Sequence, residues 1–161
     1  MLKRDTVLLL LLLLTAFFLG GCARFREVSP LNVTPTTQVV PKPSVSPPEQ
    51  GRATVVGRLI SSKTGEPLVK TVVRLAEVYY ADQSRSPESG IYVLDNAFSP
   101  SAITDQNGFF VFPNVEARDY VIIVGDIYVN YTVISNPDGT PKVWTVSPDQ
   151  VTDLGEISAD F

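Results

Sequence analysis

The sequence predicts an all-β fold, a sandwich of seven to eight strands confined to residues 53–161. Three observations predict it. Short runs rich in β-branched and aromatic residues recur along this stretch, and turn-forming clusters separate them. No window of about a dozen residues has the apolar spacing of a helix.

The runs come in order as ATVVGRLI (53–60), VKTVVRLAEV (69–78), FFVF (109–112), DYVIIVG (119–125), YTVIS (131–135), KVWTV (142–146) and LGEIS (154–158). Between the first two stands KTGEP (63–67). DQNG (105–108) precedes the phenylalanines, and NPDG (136–139) carries a proline where a turn wants φ preset. This density of short strands and turns fits a β-sandwich. The stretch Tyr79 to Pro100 is long for a connection between strands, and is read as an added hairpin or a functional loop.

The N-terminus has a different character. Lys3 and Arg4 supply a positive start, and Val7 to Leu19 form an apolar run with seven consecutive leucines. That run is short of the roughly 20 residues a membrane-spanning helix needs, so residues 1–21 read as a secretory signal. It ends in LGGC, with the chain's one cysteine at Cys22. This resembles the bacterial lipoprotein signal, in which a Leu and two small residues precede the cysteine. The resemblance implies cleavage before Cys22 and a diacylglyceryl group on its sulfur, two acyl chains being enough for stable anchoring. The implied localisation is extracytoplasmic, lipid-anchored to the cell membrane.

Residues 22–52 then form a linker. Pro30, Pro35, Pro41, Pro43, Pro47 and Pro48 are six of the chain's 13 prolines. So much proline removes backbone donors and periodicity, which predicts a disordered, extended tether.

Composition narrows the chemistry. The chain has 13 Lys+Arg against 17 Asp+Glu, and this acidic balance provides no footprint for nucleic acid. It has no histidine, which removes the commonest general base, the Ser-His and Cys-His pairs and most catalytic zinc sites. A single cysteine excludes an internal disulfide and a cysteine metal cage. Asp105 and Asn107 resemble the start of a calcium loop, but NGFFVFP follows where oxygen ligands would be needed. They are read as a turn, and no metal or cofactor is expected. Asp82, Glu88 and Asp95 are acidic groups in or near the long loop that nothing in the sequence pairs. No enzyme is predicted.

GRLISSKTGEPLVKTVVRL (57–75) followed by AITDQNGFFVFPNVEARDYVIIVGD (102–126) resembles the carboxypeptidase regulatory-like domain, a transthyretin-like, Ig-like sandwich. Thr104, Asp105, Gly108, Phe110, Phe112 and Tyr120 match that family's pattern, and VTDLGEIS (151–158) resembles its last strand. Arg118 stands where the family has a glycine before the tyrosine. The resemblance implies a non-catalytic interaction or structural module, with an envelope protein or a polysaccharide as partner. The alternative is a small-ligand or carbohydrate-binding lipoprotein using the 79–100 loop. Tyr79, Tyr80, Tyr92 and Tyr128 are the candidate binding surface, because exposed loop aromatics make contact area. Tyr128 and Tyr131 would alternate to opposite faces of one strand. Trp144, Phe110 and Phe112 are read as core.

Overall fold

The computed structural model describes residues 40–85 and 90–160, and every regular element among them is a strand. In order these are β1 (Arg52–Ser61), β2 (Val72–Tyr80), β3 (Gly90–Val93), β4 (Ser101–Ile103), β5 (Phe109–Glu116), β6 (Asp119–Asp126), β7 (Asn130–Val133), β8 (Val143–Thr145) and β9 (Val151–Ala159). The segment 1–21 read as a signal, Cys22, the linker up to position 39 and Glu88 lie outside the described residues.

Two sheets form. The smaller is β5-β1-β9, with β1 antiparallel to β5 and parallel to β9. The larger is antiparallel and centred on the β2–β6 pair. Along the free side of β2 lie β4, against Val72–Arg74, and then β3, against Glu77–Tyr80. Along the free side of β6 lie β7, against Ile123–Asp126, and β8, against Asp119–Val121. Each outer lane of the larger sheet is thus two short strands in tandem, so the nine strands fill seven lanes. The long 79–100 stretch is largely a hairpin, since β3 folds back on the end of β2.

Both sheets close on one core. Ala53, Val55 and Leu59 of β1, Phe110 and Phe112 of β5 and Ile157 of β9 meet Val73 and Leu75 of β2 and Tyr120, Ile122 and Val124 of β6. Trp144 packs at its margin. The two phenylalanine rings contact edge to face, with centroids 5.6 Å apart. The Phe110 ring lies over Gly57, where an added Cβ would come within 2.5 Å of the ring's Cζ. A bare backbone at position 57 therefore lets Phe110 cross β1. Thr104 closes the side of the core. Its Oγ1 donates to the Leu68 carbonyl at 2.6 Å and accepts from the Thr71 amide at 2.9 Å, so a buried hydroxyl is satisfied twice.

Tyr120 is buried, and its hydroxyl donates to the Glu116 carbonyl at 3.0 Å. Burial pushes this phenol up to about 12 from the ordinary 10.0. The neutral form is therefore favoured in the folded state. Its contribution is complete below the unfolded value and is lost as pH rises through the folded one, a total of about 2–3 kcal/mol. Thermal unfolding followed from neutral to strongly alkaline pH should show the midpoint falling between about pH 10 and 12, and Tyr120→Phe should flatten that fall.

The last part of the Pro-rich segment lies along the small sheet. Lys42 pairs with Asp153 of β9, and Ser44 to Pro47 share a shallow cavity with Thr54, Val111 and Pro113. The Glu49 amide donates to Asn114 Oδ1 at 2.8 Å. Thr54, Val111 and Asp153 face away from the core, so this stretch runs over the outer face of that sheet.

Candidate functional site: a groove on the outer face of the larger sheet

An antiparallel sheet with one face on the core usually turns polar residues outward. β6 departs from this. Asp119 to Gly125 are all buried, with no alternation. The register assigns the two faces: Tyr120, Ile122 and Val124 point to the core, whereas Asp119, Val121 and Ile123 point outward, where Val121 and Ile123 cluster with Ala76. Val78, Leu94, Ile127, Val133 and Val143 pack around that second cluster.

A groove runs across this outer face. Its apolar lobe is a cavity of about 150 Å³ floored by Val78, Val121 and Val143 and walled by Tyr92 on one side and Thr140 and Pro141 on the other. Tyr92 gets there because β3 sets it opposite Val78. Pro141 gets there because the 136–139 turn folds the chain back, with the Asn136 amide donating to the Thr140 carbonyl at 2.8 Å. Beyond Val78 the groove turns polar. A cavity of about 310 Å³ is lined by Tyr80, Arg85, Asp119, Thr145 and Ser147 among others, and it shares Val78 with the apolar lobe.

Asp119 is 7% exposed. Its Oδ2 accepts from the Tyr80 hydroxyl at 2.9 Å, while among the described residues Oδ1 has no donor. Burial, and then this bond to Asp119, raise the Tyr80 phenol above its ordinary value, so it stays protonated and donating. Arg118 stands at the same end of the sheet, where the resemblance has a glycine. Its backbone has no positive φ, so the side chain fits without strain. The guanidinium bonds Glu77 and, at 2.5 Å, Glu116 Oε2, and lies 5.9 Å from the centre of the Tyr79 ring. Tyr79 donates to Glu77 Oε2 at 2.6 Å, and this bond holds its phenol protonated above the usual range.

The four tyrosines singled out from the sequence thus have separate places. Tyr80 and Tyr92 share the outer face of the sheet, beside the polar and the apolar lobe respectively. Tyr79, one residue from Tyr80, falls on the opposite face in the Glu77–Arg118 cluster. Tyr128 stands exposed on the turn after β6, where its oxygen accepts from Asn96 Nδ2. The expected alternation with Tyr131 does not apply, because β7 begins only at Asn130. Asp105 is a turn cap: its Oδ1 accepts from the Asn107 and Phe109 amides, both at 2.8 Å. Sequence reasoning missed Asp119, Val121, Val143 and Pro141 as groove residues. The available signal was the unbroken VIIV of β6, since a strand apolar at every position is covered on both faces.

No protein-family profile and no curated protein matches the chain. Solved structures with a similar fold include a 9R-lipoxygenase from Cyanothece, 17% identical with a TM-score of 0.41, where the match covers 76% of this chain and 18% of the lipoxygenase. A candidate carbohydrate-binding protein from Pseudomonas aeruginosa is 18% identical with a TM-score of 0.42, over 74% of this chain and 100% of that one. The major pilin subunit of Bacillus cereus is 15% identical with a TM-score of 0.41, over 66% of this chain and 29% of the pilin. At these identities and scores the likenesses assign neither a family nor an activity.

Proposed function

We propose that this chain is a lipid-anchored extracytoplasmic protein whose β-sandwich is a non-catalytic recognition module, with the outer-face groove as its recognition surface. The observation that carries this is the apolar outer face of the larger sheet: Ala76, Val121 and Ile123 cluster there with Val78, Val133 and Val143, and Val78, Val121 and Val143 line a groove at a position where a sandwich is ordinarily polar and wet. The LGGC ending of the signal run supports the anchor, and the resemblance to carboxypeptidase regulatory-like domains supports an accessory role. The absence of histidine supports a role without catalysis. An envelope protein or polysaccharide is the partner class.

One experiment addresses anchor and surface together. Protein extracted from its native membrane should have the mass of the chain from Cys22 plus a diacylglyceryl group, and a Cys22→Ser variant should be soluble and lack it. That soluble variant should cosediment with isolated envelope fragments, and adding Tyr92→Ala should release it. An unlipidated native mass overturns the anchor. Cosedimentation indifferent to Tyr92 overturns the groove as the surface.

A further inference from the structure

Resting on the lipid-anchored reading of the chain, we propose that the end of the sandwich carrying the turn after β6 is a membrane-contacting surface. Phe98, Tyr128 and Val129 enter the interfacial layer of the bilayer that holds the anchor, and the partner is the lipid surface itself.

The four most exposed large apolar side chains among the described residues are Phe98 at 85%, Val129 at 84%, Tyr128 at 81% and Ile103 at 67%. All four stand at one end. β6 reaches that end at Asp126, and the turn that follows carries Tyr128 and Val129. Ile103 lies opposite Val72 at the start of β2, whose next residue, Val73, faces Val124 near the end of β6. Phe98 belongs to the loop that leads into β4, and Asn96 of that loop donates to the Tyr128 oxygen. Both tips are held by the same device. Asp95 Oδ1 accepts from the Ala97 and Phe98 amides at 2.7 and 3.1 Å, and Asp126 Oδ1 accepts from the Tyr128 amide at 2.9 Å. The side chains are therefore presented outward on ordered turns, which lowers the cost of ordering them on contact.

The Pro-rich stretch over the small sheet sets which way this end faces. Lys42 pairs with Asp153, at the level of Val56, and Glu49 lies beside Arg52 at the start of β1. From Lys42 to Glu49 the stretch runs back along β1, so its upstream end points toward Ser61, the last residue of that strand. This is the end with the exposed tips, because the turn 104–108 joins Ile103, opposite the start of β2, to Phe109, opposite Arg58 near the end of β1. Cys22 lies 18 positions before Val40. A tether of that length spans at most about 65 Å even fully extended. It holds the tips beside the bilayer at an effective concentration on the order of millimolar, so contacts too weak for a free protein persist.

The chemistry of the tips favours lipid over a protein partner. Side chains that protrude from two separate turns offer a protein little continuous area to cover. A bilayer takes them singly, and Phe and Tyr suit its interfacial layer. Asp95 and Asp126 are the charged residues of these two turns. The contact is therefore apolar, and a zwitterionic surface fits it better than an anionic one.

The test couples the chain from Cys22, through its one thiol, to a maleimide lipid in phosphatidylcholine nanodiscs. This supplies the tether whether or not the native protein is lipidated. Lipids spin-labelled near the headgroup are included, and amide line broadening is mapped. Phe98, Tyr128 and Val129 should broaden strongly, while Tyr79 and Asp149 at the opposite end should not. A variant carrying Phe98→Ser and Val129→Ser should lower the membrane-contacting fraction by about tenfold or more. Its melting temperature should match the parent's, since both side chains are exposed. Broadening at the tips that survives the double variant overturns the apolar contact. Broadening at the opposite end or along the groove overturns the orientation. Contact that needs phosphatidylglycerol and fades with salt overturns the proposal in favour of Lys70 and Arg74, the cations beside and within the start of β2. No broadening anywhere overturns the membrane surface, and envelope cosedimentation lost in the double variant would then assign the tips to a protein partner. None of these outcomes bears on the anchor, which the native mass judges separately.

Discussion

Gly108→Ala should be among the most destabilising single substitutions in this chain, at roughly 3 kcal/mol or more. Gly108 has φ +82°, a region costly for any residue with a side chain, and an added Cβ would lie 2.4 Å from the carbonyl oxygen of Leu59. That oxygen belongs to β1 and cannot swing aside as a side chain can. The two segments are also joined here, because the Leu59 amide donates to the Gly108 carbonyl at 2.8 Å. Relief of the clash therefore has to break the bond that sets β1 beside the start of β5. Chemical denaturation should show a lower midpoint at unchanged slope if the native state only loses stability. A variant as stable as the parent would mean that the Asp105 turn has another backbone path.

Phe110→Ala should cost about 3–5 kcal/mol. The ring is 1% exposed and touches Phe112, and it fills the space that Gly57 leaves open over β1. Its removal leaves a cavity whose floor is the bare backbone of Gly57. The pair with Gly57 sharpens the test. Gly57→Ala in the parent should destabilise, because its Cβ meets the ring at 2.5 Å, whereas in the Phe110→Ala background the same change should be neutral or restore part of the loss. Simple addition of the two losses would sink the packing argument.

The lanes of the sandwich were legible in the sequence because β-branched runs and their turns are local signals. All seven runs read as strands correspond to β1, β2, β5, β6, β7, β8 and β9. The strands that were not named, β3 and β4, have only four and three residues and exist because β2 offers them an edge. That is a tertiary cause which no short window contains. The same distinction governs the site. Tyr92 was legible as a loop aromatic, but its partners come from two separate segments, Val121 from β6 and Pro141 with Val143 from the start of β8, that only the sheet register brings together. Asp119 reads in sequence only as the polar first residue of the DYVIIVG run. Its isolation is a fact of burial, produced by the strands that flank β6.

The stretch laid over the small sheet has a mechanical consequence. A chain held by residues before position 40 feels any pull first at the Lys42–Asp153 pair and the Ser44–Pro47 contacts, and next at the Glu49–Asn114 bonds. These peel one at a time, each weak alone, before load reaches β1, which pairs with strands on both of its sides. Because they sit on the side of the sandwich opposite the groove, a taut stalk would draw on one face and leave whatever the other face holds undisturbed.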